Sequence, residues 1–196
     1  MILLDNGHGK NTPGKRSPIW ADGTQLFEWE FNRDIVKRIS RKLDTLGLAN
    51  AVIVPEAWDV PLKTRVERAN RMAVKYPGSI FISVHGNAAP KINTGTGWEG
   101  YTSPGQTESD KLLSFVYESA KVVLPDFKLR TDYSDKDPDK ESKFYVLVKT
   151  SCPAILTENL FYDNCTDCKF MLSEEGRSLI ARLHIDAIIK YVNENN

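Results

Sequence analysis

Apolar residues along this chain fall into two kinds of pattern, short continuous runs and longer stretches with a period near 3.6, and the two kinds alternate. The runs Ile2-Leu3-Leu4, Ala51 to Val54, Ser79 to Val84, Phe144 to Val148 and Pro153 to Thr157 read as strands, the first buried on both faces and the second also buried. Trp98 to Thr102 reads as a further strand, at an edge or antiparallel. Between them, Phe27, Phe31, Ile35 and Ile39 recur four apart in a helix that starts near Gln25 and ends at Gly47. Leu62 to Tyr76, Ser109 to Leu124 and Glu174 to Tyr191 are three more amphipathic helices. In the second of the four, Val66, Ala69 and Met72 form the apolar stripe and Arg65 and Arg68 lie on its flanks. Strands alternating with helices predict a single α/β domain over residues 1–196: a mixed, mostly parallel sheet of about six strands, flanked by helices on both faces.

A histidine or a glutamate follows three of the strands. Leu4 leads through Asp5-Asn6-Gly7 to His8, Val84 leads directly to His85, and Thr157 leads to Glu158. Glu28 stands in the first turn of the first helix, with Asn32 four residues on and able to hydrogen-bond its carboxylate. The carboxyl edge of an open α/β sheet is where ligands and catalytic groups collect, so these residues face one region. Trp20, in the long loop from Asn11 to Thr24, is either a hydrophobic plug or a substrate platform. His184, inside the last helix, is a surface or packing residue.

Composition removes several function classes. Lys plus Arg equal Asp plus Glu at 26 each, which gives no electrostatic basis for a nucleic-acid partner. No apolar run approaches the roughly 20 residues of a membrane span, and no basic-then-apolar leader stands before Met1-Ile2, so export is expected by another route or through a removed leader. Cys152, Cys165 and Cys168 are an odd number without a disulfide framework, and Cys165-Thr166-Asp167-Cys168 reads as reduced thiols beside a loop-to-helix junction. The charged stretch Asp126 to Ser142, with Asp132, Asp135, Asp137 and Asp139, reads as a solvated loop.

Catalytic zinc takes three protein ligands, commonly His and Glu, and keeps a fourth position for water whose pKa it lowers to about 7. His8, Glu28 and His85 are ligands of the required type at structurally matched positions, and Glu158 is placed to act as general base toward that water.

These residues sit in segments that resemble the successive motifs of the zinc-dependent N-acetylmuramoyl-L-alanine amidases of the third amidase family. The segments are Leu4-Asp5-Asn6-Gly7-His8-Gly9, Glu28 with Asn32, Leu62 and Arg65 with Ala69-Asn70, Ile82 to Ala88, and Pro153 to Glu158. The resemblance implies that His8, Glu28 and His85 bind one Zn²⁺ and that Glu158 is the catalytic glutamate. It implies a phosphorylase/hydrolase-like fold of the zinc-peptidase kind and cleavage of the amide between N-acetylmuramic acid and L-alanine in peptidoglycan. The expected place of action is the bacterial cell wall, reached from a phage or by secretion. Asn87 is the candidate substrate contact, with Trp20, Lys143 and Asn159 behind it. Two features depart from the family pattern: the loop after His8 is long and aromatic, and Pro55-Glu56-Ala57-Trp58-Asp59 replaces the usual arginine and aspartate. Two alternatives stand beside the amidase. One is a zinc carboxypeptidase or other amidohydrolase, in which Arg65 or Arg130 would clamp a free carboxylate, and the other is a catalytically silent peptidoglycan-binding domain.

Overall fold

The computed structural model describes residues 1–134 and 136–195, so Asp135 of the charged stretch lies outside the described residues. The strands are β1 (Ile2–Asn6), β2 (Asn50–Val52), β3 (Ile80–Asn87), β4 (Trp98–Thr102), β5 (Lys140–Glu141) and β6 (Ala154–Phe161). They form one sheet in the order β2-β1-β3-β6-β4-β5. β2, β1, β3 and β6 run parallel, while β4 is antiparallel to β6 and carries β5 on its outer edge. This is the mixed, mostly parallel α/β sheet that the alternating patterns predict.

Helices α1 (Glu28–Thr45), α3 (Glu108–Val123), α5 (Cys165–Leu172) and α6 (Glu174–Glu194) cover one face, and α2 (Leu62–Lys75) and α4 (Tyr145–Lys149) cover the other. Alternation along the strands divides their side chains between two cores. Ile2, Leu4, Ile80, Ile82 and Val84 face α1 and α6, whereas Leu3, Phe81, Ala154 and Leu156 face α2 and α4. Asp5, Ser83, His85 and Glu158 share the parity of the second set, which places them on the α2 face at the carboxyl ends of the parallel strands.

Four sequence expectations need correction. Phe144 to Val148 is the helical turn α4 rather than a strand, with Val146 and Leu147 buried against α2. A five-residue apolar run fits either element, and here tertiary packing decides. The sixth strand is instead β5, two polar residues with no apolar signature. β2 is a half-buried edge strand that stops at Val52, although Ile53 and Val54 beyond it are buried. The charged stretch is not wholly solvated, because Asp139 is buried and accepts a hydrogen bond from Thr102 Oγ.

Trp20 is a plug: its indole N–H donates to Cys168 Sγ at 3.1 Å, and the ring packs on the main core. The three cysteines are free thiols. No helix among the described residues is long and apolar enough to cross a membrane.

His184 is a packing residue, fully buried between Ile180 O at 2.8 Å from Nδ1 and Thr157 Oγ1 at 2.9 Å from Nε2. Nδ1–H donates to the carbonyl and Nε2 accepts from the hydroxyl, so the ring is held neutral, and burial lowers its pKa to about 4 from the ordinary 6.5. A depressed histidine adds stability that is complete above pH 6.5 and is lost as pH falls toward 4, up to about 3 kcal/mol. NMR titration of the His184 ring is expected to show no protonation until pH approaches 4; a midpoint near 6.5 would contradict the buried neutral state.

Candidate metal centre

The loop after β1 is shaped to deliver His8. Its backbone adopts φ 61°, a left-handed conformation that costs a non-glycine residue energy and marks functional sites. Neighbours hold it there: Arg33 Nη1 donates to His8 O at 2.9 Å, and Asn32 Nδ2 donates to Gly7 O at 3.0 Å. Gly7 is required by close approach, since a Cβ there would overlap the ring of His85. Gly7→Ala is therefore expected to push His85 out of place, weakening metal binding at least ~10-fold and costing roughly 1–3 kcal/mol of stability. Chelator competition and thermal melting measure the two effects.

Glu28 is the first residue of α1 and is fully buried. Its Oε1 lies 3.2 Å from His85 Nδ1 and 3.4 Å from His8 Nε2, and the two imidazoles meet edge to face with centroids 5.0 Å apart. One ligand atom from each of His8, Glu28 and His85 falls within 4.8 Å of the others. Asn32 Nδ2 reaches Glu28 Oε1 at 3.4 Å, the i,i+4 contact that the sequence spacing suggests. Lys15 Nζ stands 3.9 Å from Oε2, which is buried without a hydrogen-bond donor among the described residues.

The protonation pattern shows what the site wants. Burial works to lower the His85 imidazole, but the hydrogen bond to Glu28 and the charges of Glu158, Glu28 and Asp5 outweigh it and hold His85 above its ordinary value. Burial likewise works to raise Glu28, and the hydrogen bond and charge of His85 outweigh it and keep the carboxylate ionised. His8 is lowered to about 4, chiefly by burial, so its ring is neutral and offers a lone pair. Two imidazole nitrogens turned on one carboxylate oxygen are stable only around a positive charge, a proton or a metal ion. Neutral imidazole and carboxylate are a common donor set for zinc, so the residues fit that ion.

Glu158 lies beside this centre. It pairs in register with His85 across β3 and β6, and both line a cleft of about 560 Å³ with His8, Asp59, Arg65 and Phe144. Burial raises the Glu158 carboxyl to about 8, with a smaller raising contribution from Glu28. Its Oε2 is buried and has no hydrogen-bond donor among the described residues.

A sequence model of the N-acetylmuramoyl-L-alanine amidase family matches residues 2–190. The chain belongs to that family. The endolysin of Bacillus phage SPP1 is 31% identical over 201 residues, covering 98% of this chain and 66% of the endolysin. The amidase LytC of Bacillus subtilis (strain 168) is 27% identical over 191 residues, which is 97% of this chain and 35% of LytC. The chain thus spans about a third to two thirds of the length of these curated relatives. The crystal structure of an N-acetylmuramoyl-L-alanine amidase from Clostridium difficile 630 superposes with TM-score 0.84 at 22% identity, covering 100% of this chain and 97% of that one. The catalytic domain of CwlV from Bacillus (Paenibacillus) polymyxa gives 0.80 at 19% identity over 98% and 97%. At such identities the two neighbours establish the fold of this amidase-family domain.

Within that fold, Asn87 is not among the residues lining the cleft. Its amide donates to Glu99 Oε1 at 2.7 Å, and its carbonyl accepts from Ala88 N at 2.8 Å. Asn159 is fully buried, accepting from Trp98 Nε1 and donating to His85 O, so it braces β6 against β3 and β4. Arg65, expected on a helix flank, is 2% exposed and ion-paired to Asp5 at 2.8 Å and Asp59 at 3.0 Å. The unusual segment Pro55 to Asp59 is knitted into the same region. Glu56 pairs with Arg68, and Asp59 accepts from Thr12 Oγ1 at 2.7 Å. Asp5 and Ser83 were given no role by sequence reasoning, although both lie in family-like segments, and Arg65 was offered only as a carboxylate clamp; the structure instead joins the three to one another.

Proposed function

We propose that this domain hydrolyses the amide bond between the lactyl group of N-acetylmuramic acid and the L-alanine of the stem peptide in peptidoglycan. The observation that carries the reading is the convergence of His8, Glu28 and His85 on one point beside Glu158. Relatives named endolysin and N-acetylmuramoyl-L-alanine amidase support the substrate. His8, Glu28 and His85 would hold a single zinc ion, which supplies Lewis acidity that polarises an amide carbonyl and acidifies water.

The protein side of the chemistry falls to Glu158. Its carboxylate, which lines the cleft, accepts a proton from the attacking water as the new C–O bond forms, and returns it to the amide nitrogen as the C–N bond breaks. The products are the lactyl carboxylate and a free L-alanine amine. With a cation held by the two histidines and Glu28, Coulomb attraction would favour the ionised Glu158 carboxylate, the form that takes the water's proton. Lys15, close to Glu28 Oε2, adds positive charge at the mouth of the cleft. The site of action is the bacterial cell wall, in the periplasm, outside the cell, or after release by a phage.

The carboxypeptidase alternative loses its clamp, because Arg65 is buried against Asp5 and Asp59 and Arg130 is bound to Glu99 at 2.6 Å. Digestion of purified peptidoglycan tests the proposal. New amino-terminal L-alanine without new reducing sugar ends is expected, whereas release of single terminal amino acids or of reducing ends would overturn it.

A further inference from the structure

The strand pair β1 and β3 carries a second polar feature behind the candidate metal centre. Asp5 and Ser83 are register partners on these two strands and point to the α2 face. Asp5 is 1% exposed, Ser83 0% and Arg65 2%. Ser83 Oγ lies 2.6 Å from Asp5 Oδ2, Arg65 Nη1 lies 2.8 Å from Asp5 Oδ1, and Ser83 Oγ lies 3.2 Å from His85 Nε2. Such a row of buried polar groups costs stability unless every member is satisfied, so its persistence beside a ligand calls for a purpose.

We infer that Arg65, Asp5 and Ser83 form a positioning chain that fixes the tautomer of His85, so that Nδ1 and not Nε2 is the atom offered to the metal; this rests on the zinc reading above. The donor and acceptor inventory leaves one arrangement. Arginine can only donate, and the carboxylate it holds can only accept. The single proton of the Ser83 hydroxyl therefore goes to Asp5, and an oxygen lone pair faces His85 Nε2. That nitrogen must carry the hydrogen. Without a metal, Nδ1 also carries a hydrogen, donated to the Glu28 carboxylate 3.2 Å away; a metal ion would displace that proton, and with Ser83 holding the other hydrogen on Nε2 the lone pair set free is the one on Nδ1, turned toward His8. The period of two along β3 makes this possible, because Ser83 and His85 project from the same face of the strand. Negative charge passed from Asp5 through the hydroxyl also makes the ring a stronger ligand.

Two measurements test the chain. In the histidine-¹⁵N-labelled, zinc-loaded protein, long-range ¹H–¹⁵N spectra should show His85 protonated at Nε2 and metal-shifted at Nδ1. This experiment uses the unmodified chain and does not depend on a variant folding. Ser83→Ala should lower zinc affinity, read by competition with a chromophoric chelator, by about 10–100-fold, and Ser83→Thr, which restores the hydroxyl, should recover most of it. Melting temperatures of the two variants in the presence of chelator separate this effect from general damage. Zinc on His85 Nε2, or a Ser83→Ala affinity equal to the parent's, would overturn the inference while leaving the zinc site standing. A parent protein whose His85 shows no zinc-dependent shift would instead overturn the zinc reading, and the positioning chain with it.

Discussion

Glu158→Gln is expected to keep its zinc and its fold while amide hydrolysis falls by roughly 10²–10⁴-fold, the usual worth of a positioned general acid–base group. The side chains are nearly isosteric, and the Glu158 Oε2 atom has no donor among the described residues that the amide would lose. Glutamine cannot take the proton of the attacking water or return one to the departing nitrogen. The same change removes a buried ionisable carboxyl that is raised to about 8, so the variant is expected to melt no lower than the parent at neutral pH. Zinc content by mass spectrometry of the native protein, melting temperature and turnover of muramoyl-peptide should therefore part company. Near-normal turnover would take Glu158 out of the chemistry, and loss of zinc would make it a ligand instead.

His8→Ala, Glu28→Ala and His85→Ala are each expected to abolish stoichiometric zinc, a larger loss than the ~10–100-fold that follows removal of a ligand's hydrogen-bonding partner. Their structural costs should differ. His8 is partly exposed in a loop, and its loss leaves no core cavity. Glu28 is fully buried at the start of α1, where its Oε1 also accepts from Gly86 N and Asn32 Nδ2; removing it strands the Gly86 N–H, at about 1–3 kcal/mol, while Asn32 keeps its bond to Gly7 O. Zinc content with melting in chelator resolves the order: all three variants lose metal, and Glu28→Ala is the least stable. Full zinc occupancy in any one of them removes that residue from the ligand set.

The parallel part of the fold was legible because β1, β3 and β6 are buried on both faces, so their apolar runs stand out. β5 was not, because Lys140 and Glu141 are placed by pairing with Tyr101 and Thr102 rather than by any hydrophobic signal. α4 was misassigned because β-branched and aromatic residues in a short run suit a strand equally well. α5 went unseen although Asn164 announces it, accepting from Thr166 N and Asp167 N as a helix N-cap.

At the candidate site, His8, His85 and Glu158 stood out in the sequence because each lies at or just past the end of an apolar run, His8 after the turn Asp5-Asn6-Gly7. Glu28 was harder, since a first-turn glutamate is favoured by the helix dipole whatever its task, and only burial separates the two. The contacts of Arg65 with Asp5 and of Asp5 with Ser83 join residues 60 and 78 positions apart, and no local pattern encodes such pairs.

Crystals grown with zinc and measured on both sides of the zinc absorption edge test the central claim most directly. One anomalous peak is predicted, about 2.0–2.2 Å from a nitrogen of His8, an oxygen of Glu28 and Nδ1 of His85, with Glu158 nearby but outside bonding distance. A peak bound by other residues, or none near these three, would contradict the account.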